Sequence, residues 1–235
     1  MSTGKILLLC VLLLTGVVSG RESQRADPDP NRFAPEIKAF AEWDSKNAVP
    51  AEPVLFIGSS SIRLWRTHES FPDLPVVNRG FGGSQISDAI HFADRLVLAY
   101  QPKLIVFYSG NNDIASGKST ERVVEDYRRF LRLVLARRPE VRVIILAINP
   151  SRSRWKFWPE VQKTNRLVQE FCQDNPRLIF ADFSALFLGA DGRPDSSLFL
   201  KDELHLNAQG YAVWTQALGP VLRKVLASSG SQRTE

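Results

Sequence analysis

The sequence predicts a single three-layer α/β/α domain around a five-stranded, mostly parallel sheet. Three observations carry this expectation. Short runs of consecutive apolar residues recur along the chain, as strands covered on both faces require. Amphipathic stretches of helical period separate them. The runs end in Gly, Ser, Asn or Pro and lead into those helices, and such crossovers return parallel strands to one sheet with right-handed connections.

The elements follow in order. Met1–Gly20 reads as an export signal: Lys5 is the positive start, Ile6–Val18 is a largely apolar run, and Val18-Ser19-Gly20 offers small residues for cleavage. The run is about thirteen residues long, against the roughly 20 needed to span a bilayer. Cys10 is a poor lipid-anchor site, because Leu9 precedes it where a small residue is wanted. An exported chain without a stable membrane anchor is therefore expected. Cys172 is then the sole mature cysteine, which excludes an internal disulfide. Residues 21–35 are polar and carry Asp27-Pro28-Asp29-Pro30, the composition of a linker. The domain is expected over residues 36–228, opening with a short helix Glu36–Trp43, and residues 229–235 form a Ser/Gln-rich tail.

Within the domain, Val54–Ile57 is the first strand and Gly58-Ser59-Ser60-Ser61 the turn after it. Pro75-Val76-Val77-Asn78 is the second, followed by the glycine-rich loop Arg79–Ser84 and one helix over Gln85–Tyr100. Lys103–Tyr108 is the third, ending in Ser109-Gly110-Asn111-Asn112-Asp113. Ser119 caps a helix to Arg138 whose inner stripe is Val123, Tyr127, Phe130, Leu131 and Val134. Val141–Ile148 is the fourth strand. A basic and aromatic loop, Ser151–Pro159, leads into a helix ending near Asn175. Leu178–Asp182 is the fifth strand, and Asn207 caps a last helix from Ala208 to about Ala227.

Composition narrows the function. Hydrophobic residues make up 44% and charged residues 23%, ordinary for a globular protein with a sizeable core. The net charge of +5 is scattered rather than gathered in blocks, so a nucleic-acid partner is not expected. No His/Cys cluster suggests a metal, and no cofactor motif is present: Gly80–Ser84 lacks the lysine and spacing of a phosphate-binding loop.

In a parallel sheet the loops after the strands share one edge, where ligands bind. Ser60, Gly82-Gly83 and Asn112 fall on three such loops, and Asp202 and His205 precede the last helix. These are the parts of acyl transfer: a weak nucleophile needs a base, an imidazole needs a carboxylate to fix its tautomer, and a developing oxyanion needs N–H donors. Ser59 and Ser61 compete with Ser60 for the nucleophile, and Asn112 could be a simple cap. Asp88 and His91 form a second D-x-x-H, but inside a helix, where they read as a surface pair.

The four segments resemble the SGNH (GDSL-like) hydrolases. Gly58-Ser59-Ser60 resembles their first block, Asn78–Gly83 the second, Gly110-Asn111-Asn112-Asp113 the third and Asp202-Glu203-Leu204-His205 the fourth. The second block is nearest the platelet-activating-factor acetylhydrolase-like branch. Ser59 departs from the family pattern, which has Asp there. The resemblance implies a flavodoxin-like fold and a serine esterase with Ser60 as nucleophile, His205 as base and Asp202 orienting it. Ser60 and Gly83 N–H groups and the Asn112 side chain would form the oxyanion hole. The substrate would be a small-molecule or saccharide ester, with no cofactor and no metal. The competing expectation is a non-catalytic carbohydrate-binding domain on the same fold. The loop after the fourth strand has two readings: Phe157 and Trp158 simply anchor the helix start in the core, or Trp155 is exposed and walls the substrate cleft, with Arg152 or Arg154 contacting a polar leaving group such as a sugar.

Overall fold

The structure, a computed structural model, describes residues 26–230. The expected signal segment Met1–Gly20 and most of the tail lie outside the described residues. Strands β1 (Val54–Gly58), β2 (Val76–Gly80), β3 (Leu104–Tyr108), β4 (Arg142–Leu146) and β5 (Leu178–Ala181) pair in parallel in the order β2-β1-β3-β4-β5. The expected fold class is present, with every strand parallel. That order is the flavodoxin-like one, and the direction of winding reverses between β1 and β3.

The continuous apolar strands divide their residues between two cores with a period of two. Leu55, Ile57, Ile105, Phe107, Val143 and Ile145 face one side. There they meet α7 (Thr120–Arg137) and α8 (Trp158–Gln173) through Tyr127, Phe130, Val134, Val161 and Val168. Val54, Phe56, Val106, Tyr108, Ile144 and Leu146 face the other side, against Trp65 and against Trp214, Leu218 and Leu222 of α9 (Ala208–Gly230). Ser119 caps α7 by accepting the Arg122 N–H, and the Asn207 Oδ1 caps α9 through the Gly210 N–H.

Three expectations are corrected. The segment before residue 36 is more than a linker from Ala26 onward. Pro30–Phe33 forms a single 3-10 turn that continues into α1 (Ala34–Asp44), and Phe33 packs edge-on against Phe81, ring centres 5.1 Å apart. Asp27 pairs with Lys118 at 2.8 Å and Arg32 with Asp88 at 2.6 Å. Arg79 then ties α1 to β2 through Asp44 and Tyr100. Second, the helix expected over Gln85–Tyr100 is three pieces: α4 (Ile86–His91), α5 (Ala93–Leu96) and a 3-10 turn Leu98–Tyr100. The backbone leaves helical values at Phe92 (φ −97°, ψ 13°) and again at Val97 (φ −120°, ψ −59°), although Phe92, Ala93, Leu96 and Val97 are all buried. Third, Asp88 is no surface residue. It is fully buried, where it accepts the Gln85 N–H and the Arg32 guanidinium.

Trp214 is the largest fully buried side chain and touches the rings of Trp65 and Tyr108, with centres 5.1 and 4.9 Å away. Replacing it leaves a cavity beneath β1 and β3. Trp214→Ala is expected to lower unfolding free energy by about 3–5 kcal/mol in urea titrations. A loss under about 1 kcal/mol would show that this core collapses around the gap.

Candidate active site

Ser60 opens α2 (Ser60–Arg63) at the carboxyl end of β1. The residue before it fixes that position. The Ser59 N–H donates to the Tyr108 carbonyl of β3 at 3.2 Å, and the Ser59 carbonyl accepts from the Ile62 and Arg63 N–H groups. Being the first helical residue, Ser60 has no intrahelical acceptor for its own N–H.

The partner arrives from the far end of the chain. Leu200 N–H donates to the His205 carbonyl at 2.7 Å, and Glu203 N–H to the Leu200 carbonyl at 2.9 Å, closing a tight hairpin over Phe199–Leu206. Glu203 sits at φ +54°, a left-handed conformation that turns the chain between Asp202 and His205. The Asn207 amide braces the base of the hairpin through the Ser197 and Phe199 carbonyls.

The hairpin presents a continuous hydrogen-bonded line. Ser60 Oγ lies 2.9 Å from His205 Nε2, and His205 Nδ1 lies 2.6 Å from Asp202 Oδ2. Asp202 Oδ1 accepts the Leu204 and His205 N–H groups, each at 3.0 Å. The bond to the imidazole, then those two N–H groups, hold the Asp202 carboxyl down at about 2. The imidazole meets Ser60, and neither Ser59 nor Ser61. Ser59 is buried, and the Ser61 carbonyl accepts the Tyr211 hydroxyl.

Opposite the hairpin lie the expected oxyanion donors. Gly83 has φ +77° with open space where a Cβ would stand, so its backbone conformation demands glycine. Asn112, in α6 (Asn111–Ala115), donates from Nδ2 to the Ser84 carbonyl at 2.9 Å, which ties the third block to the second. Asp113 reinforces the tie by accepting the Ile86 N–H and the Lys118 ammonium. Its full burial pushes it up to about 6. Ser60, Gly83, Asn112 and His205 line one cleft of about 400 Å³, together with Leu64 and Arg154. Among the described residues, no three His, Cys, Asp or Glu side chains converge as a metal site would need.

The loop after β4 differs from expectation. Only Arg154 of the three proposed contact residues lines the cleft. Arg152 is exposed and donates to the Pro194 carbonyl at 2.7 Å. Trp155 stacks on Trp158, ring centres 5.8 Å apart, because a 3-10 turn lays it along the start of α8. Phe157 and Trp158 do pack against the core. Sequence reasoning passed over Asn111, whose Oδ1 also accepts from Arg154, and Ser153, whose N–H and hydroxyl both donate to the Glu203 carbonyl. Ser153 carried no signal, because its partner is 50 residues away.

The GDSL-like Lipase/Acylhydrolase family profile matches residues 62–213, a span that holds the second, third and fourth blocks and begins just after Ser60. The chain belongs to the GDSL-like lipase/acylhydrolase family. It is an ester-hydrolysing serine hydrolase of that family. It is 29% identical over 232 residues to a platelet-activating factor acetylhydrolase IB subunit alpha1 of Pongo abelii, covering 92% of this chain and 96% of that one. The human subunit alpha1 is 28% identical over 235 residues, with the same coverage. A GDSL-like lipase from Bacteroides thetaiotaomicron shares the fold, with TM-score 0.66 and 20% identity over 83% of this chain and 98% of that one. So does a family 3 carbohydrate esterase from Talaromyces cellulolyticus, with TM-score 0.56 and 19% identity over 74% and 98%.

The Asp202 contacts give a stability signature in acid. A carboxyl held below its unfolded value contributes stability above that value and loses it as pH falls through the folded one. The urea midpoint of the wild type should therefore exceed that of Asp202→Asn by most above about pH 5, with the gap closing towards about pH 2. A gap that stays constant would mean that the Asp202 charge contributes nothing to the hairpin.

Proposed function

We propose that the protein is an exported serine esterase that cleaves short acyl esters through an acyl-enzyme intermediate. The observation that carries this reading is the unbroken line from Ser60 Oγ through His205 to Asp202. Ser60 Oγ attacks the ester carbonyl carbon while His205 Nε2 takes its proton, and Asp202 stabilises the imidazolium. The tetrahedral oxyanion receives the Ser60 and Gly83 N–H groups and the Asn112 amide. The bond to the leaving oxygen then breaks, and His205 returns the proton to it. Water, deprotonated by His205, attacks the acyl-enzyme and releases the acid and free Ser60.

The small cleft and the acetylhydrolase and acetyl esterase names of similar proteins support a short acyl group. Export rests on Lys5 and the apolar run Ile6–Val18. A second observation favours an apolar alcohol over a saccharide. A groove of about 620 Å³ shares Leu64 with the cleft and continues past Trp65, Leu200, Leu206 and Tyr211. Arg154, expected to reach a sugar, is instead engaged with Asn111 and Asn112.

Ser60→Ala should lower kcat for p-nitrophenyl acetate by about 10⁴-fold or more. In the wild type, log kcat/KM should show no ionisation of Asp202 above about pH 4, because its carboxyl is held down at about 2. Undiminished turnover in Ser60→Ala would overturn the assignment. A step above about pH 4 that Asp202→Asn removes would show that Asp202 titrates in the working range. Hexyl acetate should give a higher kcat/KM than an acetylated glucose, and the reverse order would return the saccharide reading.

A further inference from the structure

Arg154 stands out in the cleft because it is a half-buried cation without a carboxylate. Its three hydrogen bonds go to neutral amide oxygens: Nη1 donates to Asn111 Oδ1 at 2.9 Å and to Asn112 Oδ1 at 3.0 Å, and Nη2 to Asn112 Oδ1 at 3.0 Å. Among the described residues no acidic side chain pairs with it, and burial holds its guanidinium below the ordinary arginine value. An unpaired buried cation is costly, so a fold that keeps one in a catalytic cleft requires a reason.

The Asn112 amide supplies the reason. Its Oδ1 faces the Arg154 fork, and its Nδ2 donates one hydrogen to the Ser84 carbonyl at 2.9 Å. Rotating the amide by half a turn would set Nδ2 against two guanidinium donors and Oδ1 against a carbonyl oxygen. Both contacts would then be repulsive. The amide is therefore locked in one orientation, and the second Nδ2 hydrogen remains for the cleft. A cation on Oδ1 also polarises the amide and strengthens Nδ2 as a donor.

The loop that carries Arg154 is itself fixed to the other half of the site. Ser153, next to it, donates its N–H at 3.2 Å and its hydroxyl at 3.1 Å to the Glu203 carbonyl. Glu203 lies between Asp202 and His205, so one short loop joins the hairpin of the base to the amide of the oxyanion hole.

We propose that Arg154 is a positioning residue that orients and polarises the Asn112 amide for the oxyanion, acting through Asn112 without touching substrate. This deepens the esterase reading and rests on it. The positive charge stands behind the amide, and the oxyanion that forms in front of it is the negative charge the cleft otherwise lacks. Arg154 thus favours the transition state over the bound ester.

The test is steady-state kinetics on p-nitrophenyl acetate with the wild type, Ser60→Ala, Arg154→Met, Arg154→Lys, Asn112→Ala and the Arg154→Met/Asn112→Ala double variant. Arg154→Met should lower kcat about ten- to a hundredfold, somewhat less than loss of the donor itself, with KM within about twofold. Arg154→Lys should recover part of that loss, since an ammonium keeps the charge and loses the fork. In the Asn112→Ala background, Arg154→Met should cost less than about threefold more, because its partner is already gone. Should Arg154→Met lack a native circular dichroism spectrum, Arg154→Lys decides, with the same KM criterion. A wild-type kcat in Arg154→Met, a rise confined to KM, or effects that multiply in the double variant would each overturn the proposal. Wild type and Ser60→Ala separate the two levels: equal rates in that pair would remove the esterase reading and this inference with it.

Discussion

At the carboxyl end of β1 the Gly58 backbone lies against the Tyr108 carbonyl, so close that a Cβ would stand 1.9 Å from that oxygen. Three of the loops that line the cleft meet at this contact between β1 and β3. The Tyr108 carbonyl accepts the Ser59 N–H, and so sets where α2 begins and where Ser60 points. The Gly58 carbonyl accepts the Phe81 N–H, which brings in the glycine-rich loop from β2. Two residues beyond Tyr108 the chain enters α6 at Gly110, placing Asn112 across the cleft from Ser60. The reversal of winding opens a crevice between β1 and β3, and three loops are fastened at its mouth by backbone hydrogen bonds and by the side chains of Asn78 and Asn112.

Beneath that mouth a polar network holds the loops in register. Lys118 is buried and pairs with Asp27, Asp113 and Asp126, while Arg122 and Arg129 also pair with Asp126. The three cations balance the three carboxylates, which is the condition under which buried charge is tolerable. Asp113 extends the network to the Ile86 N–H, and thus to the segment after Gly83. Asp27 extends it to the chain before α1. The residues ahead of the first helix are therefore part of the frame that positions the loops carrying Gly83 and Asn112.

The strands were legible in the sequence because a parallel strand buried on both faces writes an unbroken apolar run. The candidate site was legible because four short blocks fall in order on loops that the fold sends to one edge. What stayed hidden depends on distant partners. Asp27-Pro28-Asp29-Pro30 has the composition of a linker, and nothing local reveals that Lys118 awaits Asp27. The breaks at Phe92 and Val97 carry no Gly or Pro to announce them, and the apolar period runs through both. In Ser151–Pro159 the basic and aromatic residues alternate, and alternation does not say which of them face the cleft. Arg154 does, and it meets Asn111 and Asn112, 43 and 42 residues earlier in the chain.

The central claim is that Ser60 is activated by His205 across 145 residues of sequence. The most direct measurement is covalent labelling with a fluorophosphonate, mapped by peptide mass spectrometry. The account predicts one modified residue, Ser60, and loss of the label in His205→Ala with the folded state retained. Labelling at Ser59 or Ser61, or a Ser60 label that forms as fast without His205, would contradict it.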